Sequence, residues 1–409
     1  MAGSSGGTGS SSPLPPKILL AKPGLVTGAP VSAKFGRTGG GGEDDTTSLR
    51  SRLPSVGSLN LLSDSWDFHI DRFLPFLTEN TEFTVVGVIG PPGVGKSMIM
   101  NELYGFDATS PGMLPPYTIQ SEDVTAMARH CSMGIEPRVS AERIILLDTQ
   151  PVFSPSVLAE MMRPDGSSSV PVLSGESLSA ELAHEIMSIQ LAVLMTSICH
   201  TLLVVSEGVH DHNMWRLMST VDLLKHGIPD PSSLTPAPTQ SSTSGPETEG
   251  KDKVHEGGDY MAAPIFVHTK LQDQDLTERN CMQLKKTITH YFSSSSFMRE
   301  TLGNIAKDDS FSSSALSTRN GDPDSTIPKL FVIPVKHKDD SHANQYESHN
   351  SMLWKLRDKV LSMSHPSFSK TVSEREWLKN SAKIWELVKN STIIADYSKT
   401  LQSSGLFRR

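Results

Sequence analysis

Five short apolar runs set the plan of the chain: residues 83–89 (FTVVGVI), 143–148 (RIILLD), 201–205 (TLLVV), 264–268 (PIFVH) and 330–333 (LFVI). They are rich in β-branched residues and lack a strict two-residue alternation, the pattern of strands covered on both faces. Segments with helical spacing lie between several of them. Buried strands alternating with helices predict an α/β domain with a mainly parallel sheet and helices on both faces. Ahead of the first run, Ile70, Phe73, Leu74 and Leu77 mark one face of a helix, which Pro75 should end or bend. The most apolar window, residues 186–205, carries Ser188, Gln190, Thr196, Ser197, His200 and Thr201. A membrane span wants about 20 nearly uninterrupted apolar residues, so this window reads as a buried helix followed by a buried strand. No membrane association is expected.

From about residue 347 the pattern turns helical. Leu353, Leu356, Val360 and Met363 form one stripe, ended by Pro366. Ser373-Glu374-Arg375-Glu376 is a capping box, and Leu378, Ala382, Trp385 and Val388 continue as an apolar face. Trp377, Trp385 and Tyr397 are either partner-facing anchors or the closure of the sheet's open face, and closure is the commoner arrangement. Trp66 and Trp215 have the same two readings.

Composition removes part of the chain from the packed domain. Residues 1–50 hold 28 Gly, Ser, Thr or Pro with no apolar period, too little to offset the entropy of ordering. Residues 1–60 are therefore expected to be a disordered tail, with one short apolar patch at residues 17–23 suited to docking. Residues 61–402 form the domain. Two polar insertions, at about 229–258 and 306–326, read as disordered surface loops. The first has 15 Ser, Thr, Pro or Gly among residues 231–250. The net charge of −8 argues against a nucleic-acid-coating protein, which needs clustered Lys and Arg, so no direct nucleic-acid contact is expected. Three well-separated cysteines, Cys131, Cys199 and Cys281, support neither a disulfide scaffold nor a thiolate metal site. With no signal-like start, they fit the cytosol or nucleus.

The chemistry lies after the first strand. Gly90-Pro91-Pro92-Gly93-Val94-Gly95-Lys96-Ser97 matches G-x-x-x-x-G-K-[ST] in full, between a strand and a helix predicted over 98–104. Glycines let successive N–H groups curl around phosphates, and the helix N-terminus adds partial positive charge. Gly90, Pro92, Gly93, Val94, Gly95, Lys96, Ser97 and Met98 are the expected nucleotide-binding residues, with Lys96 on the outer phosphates. The Ser97 hydroxyl would face Mg²⁺. Asp148, ending the second strand run, is the expected acid on the metal side, and Ser132 is a candidate switch hydroxyl. The cofactors expected are a purine nucleotide, ATP or GTP/GDP, and Mg²⁺.

Hydrolysis is less well provided for. A GTPase continues D-x-x-G, the glycine N–H meeting the γ-phosphate, with a water-orienting Gln soon after. Here the order is Asp148-Thr149-Gln150-Pro151-Val152, and proline has no N–H to offer. Gln150 comes too early to orient a water. Binding with weak or absent turnover is expected, the alternative being an active GTPase or ATPase switch. Guanine is usually read through N-K-x-D, whereas this chain has Thr269-Lys270-Leu271-Gln272, with Asp273 one place late. Lys270 remains a candidate for stacking its stem on a base, and adenine and guanine both stay open.

Beyond the phosphate loop, the segments RIILLDTQPVFSPSVL, ICHTLLVVSEGVHD and HPSFSKTVSEREWLKNSAKIWELVKNSTIIADYSKTL resemble the SMG-nine family of nonsense-mediated mRNA decay factors. The likeness covers roughly residues 60–402 outside the two loops. It implies a G-domain-like P-loop fold with a C-terminal helical extension. It also implies a heterodimer with a related SMG-eight subunit, and binding to the SMG-one kinase to tune phosphorylation of the UPF-one helicase. In that family the nucleotide is structural more than catalytic. Pro75 and a shorter tail depart from the family pattern at the N-terminal side.

Overall fold

The computed structural model describes residues 59–63, 65–107, 114–121, 124, 131–162, 178–235, 260–297, 329–336 and 346–407. Residues 1–58 of the expected tail, with the patch at residues 17–23, most of the first insertion and all of the second lie outside these residues. Leu59 and Asn60, expected in the tail, are instead placed against the core and Ile135.

Six strands form one sheet: β1 Thr84–Ile89, β2 Ile135–Val139, β3 Ile144–Thr149, β4 Thr201–Glu207, β5 Ala263–Leu271 and β6 Lys329–Pro334, in the order β2-β3-β1-β4-β5-β6. Every pairing is parallel except β2 with β3. Helices fill the connections: α1 Lys96–Tyr104, α2 Pro155–Met161, α3 Ala180–Ile198, α4 His212–Leu224 and α5 Glu278–Tyr291. After the sheet come α6 His349–Ser362, α7 Glu374–Lys389 and α8 Thr392–Ser403. The α/β class and the five apolar strands stand as the pattern predicts.

Alternate residues of each central strand face two separate cores, as a period of two requires. Val86 and Val88 point to α1 and α6, where Ile99, Leu103, Leu353 and Leu356 are buried. Val85 and Ile89 point to the other face, against α3, α4, α5, α7 and α8. Helix α3 is buried almost all round, which explains its unusual apolar content. No helix among the described residues is long and apolar enough to cross a membrane. Trp377 and Trp385 are fully buried, their indole N–H groups donating to Ile198 C=O and Trp66 C=O, each at 2.8 Å. Both close the sheet's face. Trp66 and Trp215 are buried too, at 3% and 7% exposure.

The C-terminal helices hang on a charged cluster. The Ser373–Glu376 capping box starts α7, an arrangement whose loss typically costs about 1 kcal/mol. One residue on, Glu374 is fully buried, and its carboxylate receives Arg143 Nε at 3.0 Å, Arg143 Nη2, Thr78 N–H at 2.7 Å and the Thr78 hydroxyl at 3.0 Å. The turn between β2 and β3, the segment before β1 and the start of α7 thus meet at one carboxylate.

Two further sequence expectations need correcting. The helix expected over residues 70–77 is only a 3-10 turn, Leu74–Phe76. Pro75 has no N–H to bond the carbonyl of residue 71 and its ring would clash there, so it can only stand in the first turn of an element and no helix from residue 70 runs through it. Residues 229–235, placed by composition in the first loop, are ordered instead. Asp230 caps the 3-10 turn Pro231–Leu234, and its carboxylate receives the hydroxyls of Ser232, Ser233 and Ser369. Ser and Pro there serve a cap and a turn, so their abundance misleads.

Candidate nucleotide-binding site

The phosphate loop leaves the carboxyl end of β1, the strand at which the chain's course along the sheet reverses, where open α/β sheets form their crevice. Gly90 is fixed by close approach: a Cβ there would stand 2.3 Å from Val205 C=O. The backbone then turns left-handed at Gly93 and Gly95 (φ 76° and 91°), and Gly95 becomes the N-cap of α1. The hydroxyl of Thr269, at the end of β5, donates to Val94 C=O at 3.0 Å and Ser206 C=O at 3.2 Å. That hydroxyl holds the middle of the loop against β4 and β5.

Lys96 is 7% exposed, and its ammonium donates to Gly90 C=O and Pro91 C=O, both at 3.0 Å. Burial lowers its pKa to about 8, against the raising effect of the nearby Asp148 charge. Ser97 and Ser132 both donate to Asp148 Oδ2, at 2.7 and 3.0 Å, and their own oxygens are 3.3 Å apart. The other carboxylate oxygen, Oδ1, is buried and has no hydrogen-bond partner among the described residues. Burial pushes the Asp148 pKa up, while Lys96 and the two serine hydroxyls pull it down. A buried carboxylate with one free oxygen, two hydroxyl oxygens beside it and a lysine nearby is a donor set suited to hydrated Mg²⁺, which takes oxygen ligands. The residues fit the group.

The structure therefore brings Ser97, Asp148, Ser132 and Lys96 together. Lys270 follows Thr269, the residue that ties the loop to β5, near the carboxyl end of that strand. There Lys270 has a left-handed backbone (φ 57°), and its half-exposed ammonium pairs with Glu207 at 2.9 Å. Just beyond it, Asp273, Leu276, Val335 and Lys336 line a small pocket at the carboxyl ends of β5 and β6.

Downstream of Asp148 the chain is committed to structural work. Thr149 Oγ1 donates to Val88 C=O at 2.7 Å, Gln150 Oε1 accepts the Gly134 N–H at 3.0 Å, and Val152 N–H donates to Gly90 C=O at 3.2 Å. Pro151 is buried among these contacts. Sequence reasoning missed the roles of Thr269, Gly134 and Gln150 as backbone ties. For Thr269 a signal existed: a hydroxyl-bearing residue just after a buried strand run, facing the phosphate loop's strand edge.

No family model matches the chain. Among solved structures, the crystal structure of a bacterial selenocysteine-specific elongation factor, EF-Sec, overlaps 55% of this chain and 28% of its own, at 11% identity and a TM-score of 0.26. The fold is established by the sheet itself. The chain is 28% identical to the nonsense-mediated mRNA decay factor SMG9 of Xenopus tropicalis, across 83% of its own length and 66% of the frog protein's. The SMG9 of Xenopus laevis gives the same identity and coverage. The Salmo salar protein is 26% identical across 84% of this chain and 67% of its own. The chain thus spans just under two thirds of the frog relatives it matches. The resemblance to the SMG-nine family read from its sequence holds over 83–84% of its length, at 26–28% identity.

Proposed function

We propose that this chain is a nucleotide-binding regulatory subunit acting in nonsense-mediated mRNA decay, which holds a purine nucleotide with Mg²⁺ and turns it over slowly or not at all. The observation that carries the first half is the convergence of Ser97, Ser132 and Asp148, with one free buried oxygen, beside a complete phosphate loop. Lys96 and the loop N–H groups hold phosphate, Ser97 and Asp148 hold the cation directly or through water, and the Lys270 stem is the candidate to stack on the base. Bound Mg²⁺ supplies charge neutralisation between phosphates.

Slow turnover follows from the residues around the γ-phosphate position. Pro151 has no N–H to donate, and the side chain of Gln150 is already spent on Gly134. Neither residue is therefore arranged to orient a water there. Purified protein with Mg²⁺ and radiolabelled ATP or GTP is expected to retain nucleotide with negligible product. Turnover on the order of 1 per second, an ordinary enzymatic rate, would instead establish an active switch.

The likeness to SMG9 supports the decay-pathway assignment, and with it a heterodimer with an SMG-eight-like subunit that binds the SMG-one kinase and tunes its action on the UPF-one helicase. The setting this implies is the cytoplasm, with the nucleus as the alternative. Co-purification from cells followed by extraction of bound nucleotide tests partners and ligand together.

The lysine gives a pH signature. Phosphate favours the ammonium form, and in the free protein Lys96 loses its proton around pH 8. Affinity is therefore full below that value and falls as pH rises through it, by about tenfold between pH 7 and pH 9. Equilibrium dialysis across that range measures it, and a flat profile would show that Lys96 does not meet the phosphates.

A further inference from the structure

A short chain of contacts joins the metal-side serine to the first described residues. Ser132 lies two positions before Gly134, whose N–H donates to Gln150 Oε1 and whose C=O accepts Gln150 N–H at 2.8 Å. Gly134 is buried with a φ of 58°, and a Cβ there would stand 2.6 Å from Asn60 Oδ1 and 2.7 Å from Leu62 C=O. Asn60 Oδ1 accepts the next N–H, that of Ile135, at 2.9 Å. Ile135 C=O in turn accepts Leu61 N–H at 2.7 Å, and Leu61 C=O accepts His69 N–H at 2.7 Å. The leading segment, residues 59–70, is thus laid along the outer edge of β2 at the end nearest the site. It has little regular structure of its own beyond one isolated bridge, Leu62 to Phe68.

We propose that Asn60 is a latch that couples occupancy of the phosphate and metal site to the leading segment. The inference rests on the nucleotide reading above. The reason is local geometry. Ser97 and Ser132 now share one oxygen of Asp148 as hydrogen-bond donors. A cation held by these oxygens would need their lone pairs, so the Ser97 and Ser132 hydroxyl protons would have to turn away from Asp148, and Ser132 would shift with its own. The backbone cannot absorb that shift alone, because Gly134 is pinned by Gln150 on one side and packed on Asn60 on the other. The Asn60 carboxamide spans Ile135 and the leading segment, so it passes the shift on. Leu61, Leu62 and Trp66 of the segment are buried against the core, so a shift at Asn60 is passed into packed side chains and not lost to solvent. Coupling of this kind is reciprocal: whatever fixes residues 59–70, a bound partner included, strengthens nucleotide binding.

Hydrogen exchange read by mass spectrometry on the full chain tests this, with wild type, Asn60→Ala and Asn60→Asp each measured alone, with MgATP and with MgGTP. Equilibrium dialysis of the radiolabelled nucleotides runs in parallel. Saturating nucleotide is expected to change exchange in residues 59–70 of wild type by about fivefold or more, the lower end of site-to-site coupling. Asn60→Asp, which keeps the acceptor oxygen, should retain the response. Asn60→Ala should bind nucleotide and lose it. Nucleotide bound with unchanged exchange in wild type overturns the latch and leaves the nucleotide reading intact. A full response in Asn60→Ala overturns the role of Asn60. Absence of binding in wild type overturns both. Should Asn60→Ala not fold, the wild-type response and its retention in Asn60→Asp decide the coupling.

Discussion

Lys96→Ala is expected to weaken nucleotide binding about 10- to 100-fold, matching the roughly 1.5–3 kcal/mol that a hydrogen bond to a charged group contributes. The visible consequence is thermal. A ligand bound only by the folded chain stabilises it by about 2.7 kcal/mol at 100 times its Kd. The same concentration acting on a 100-fold weaker site gives only about 0.4 kcal/mol. Wild type should therefore melt several degrees higher with nucleotide than without, and the variant should show almost no shift. Pairing with the proposed SMG-eight-like subunit should weaken in parallel, if that subunit binds the folded domain the nucleotide stabilises. Scanning calorimetry with and without MgATP or MgGTP measures the first effect. Equal shifts in the two proteins would remove Lys96 from the phosphate site.

Arg143→Ala is expected to destabilise the fold markedly, at a point away from that site. Its guanidinium is the positive partner of Glu374, whose side chain is fully buried. Removing one member of a fully buried pair costs about 3–5 kcal/mol, and because the Arg143 side chain is 36% exposed the loss here should not exceed the lower part of that range. Thr78 would still donate two hydrogen bonds, which holds the loss near the lower end of that range. The backbone does not offset it, since Arg143 sits at a φ of 60°, a conformation alanine adopts no more readily. Urea unfolding compared with Arg143→Lys separates charge from the paired geometry. Lysine should recover part of the stability, and a loss under about 1 kcal/mol for alanine would show the pair to be marginal.

Both variants act on features whose visibility in the sequence differs. The phosphate loop is local: eight consecutive residues specify its backbone path, and strand and helix flank it. The strands that carry long apolar runs are equally legible, because burial on both faces leaves no alternative composition. Strand β2 was not legible. Ile135-Glu136-Pro137-Arg138-Val139 holds a proline and two charges, tolerable because this is an edge strand paired on one side only. The link from Asn60 to Gly134 joins residues about 75 apart and leaves no local trace. Likewise Glu374 reads in the sequence only as a cap residue of α7. Its partners, Thr78 and Arg143, lie more than 200 residues away.

The burial of Trp377 and Trp385 against α3 and Trp66 sets an order for synthesis. The face of the sheet formed by β1, β3 and β4 stays open until α7 has left the ribosome, although the strands themselves are complete long before. At about 5–20 residues per second, the roughly 170 residues from the end of β4 to α7 take on the order of 10–30 seconds. During that interval α3, apolar on nearly every side, has no C-terminal cover, and the nascent chain depends on chaperones or an early partner to shield it. A fragment ending before Glu374 should behave as that nascent chain does and aggregate, whatever the integrity of its phosphate loop.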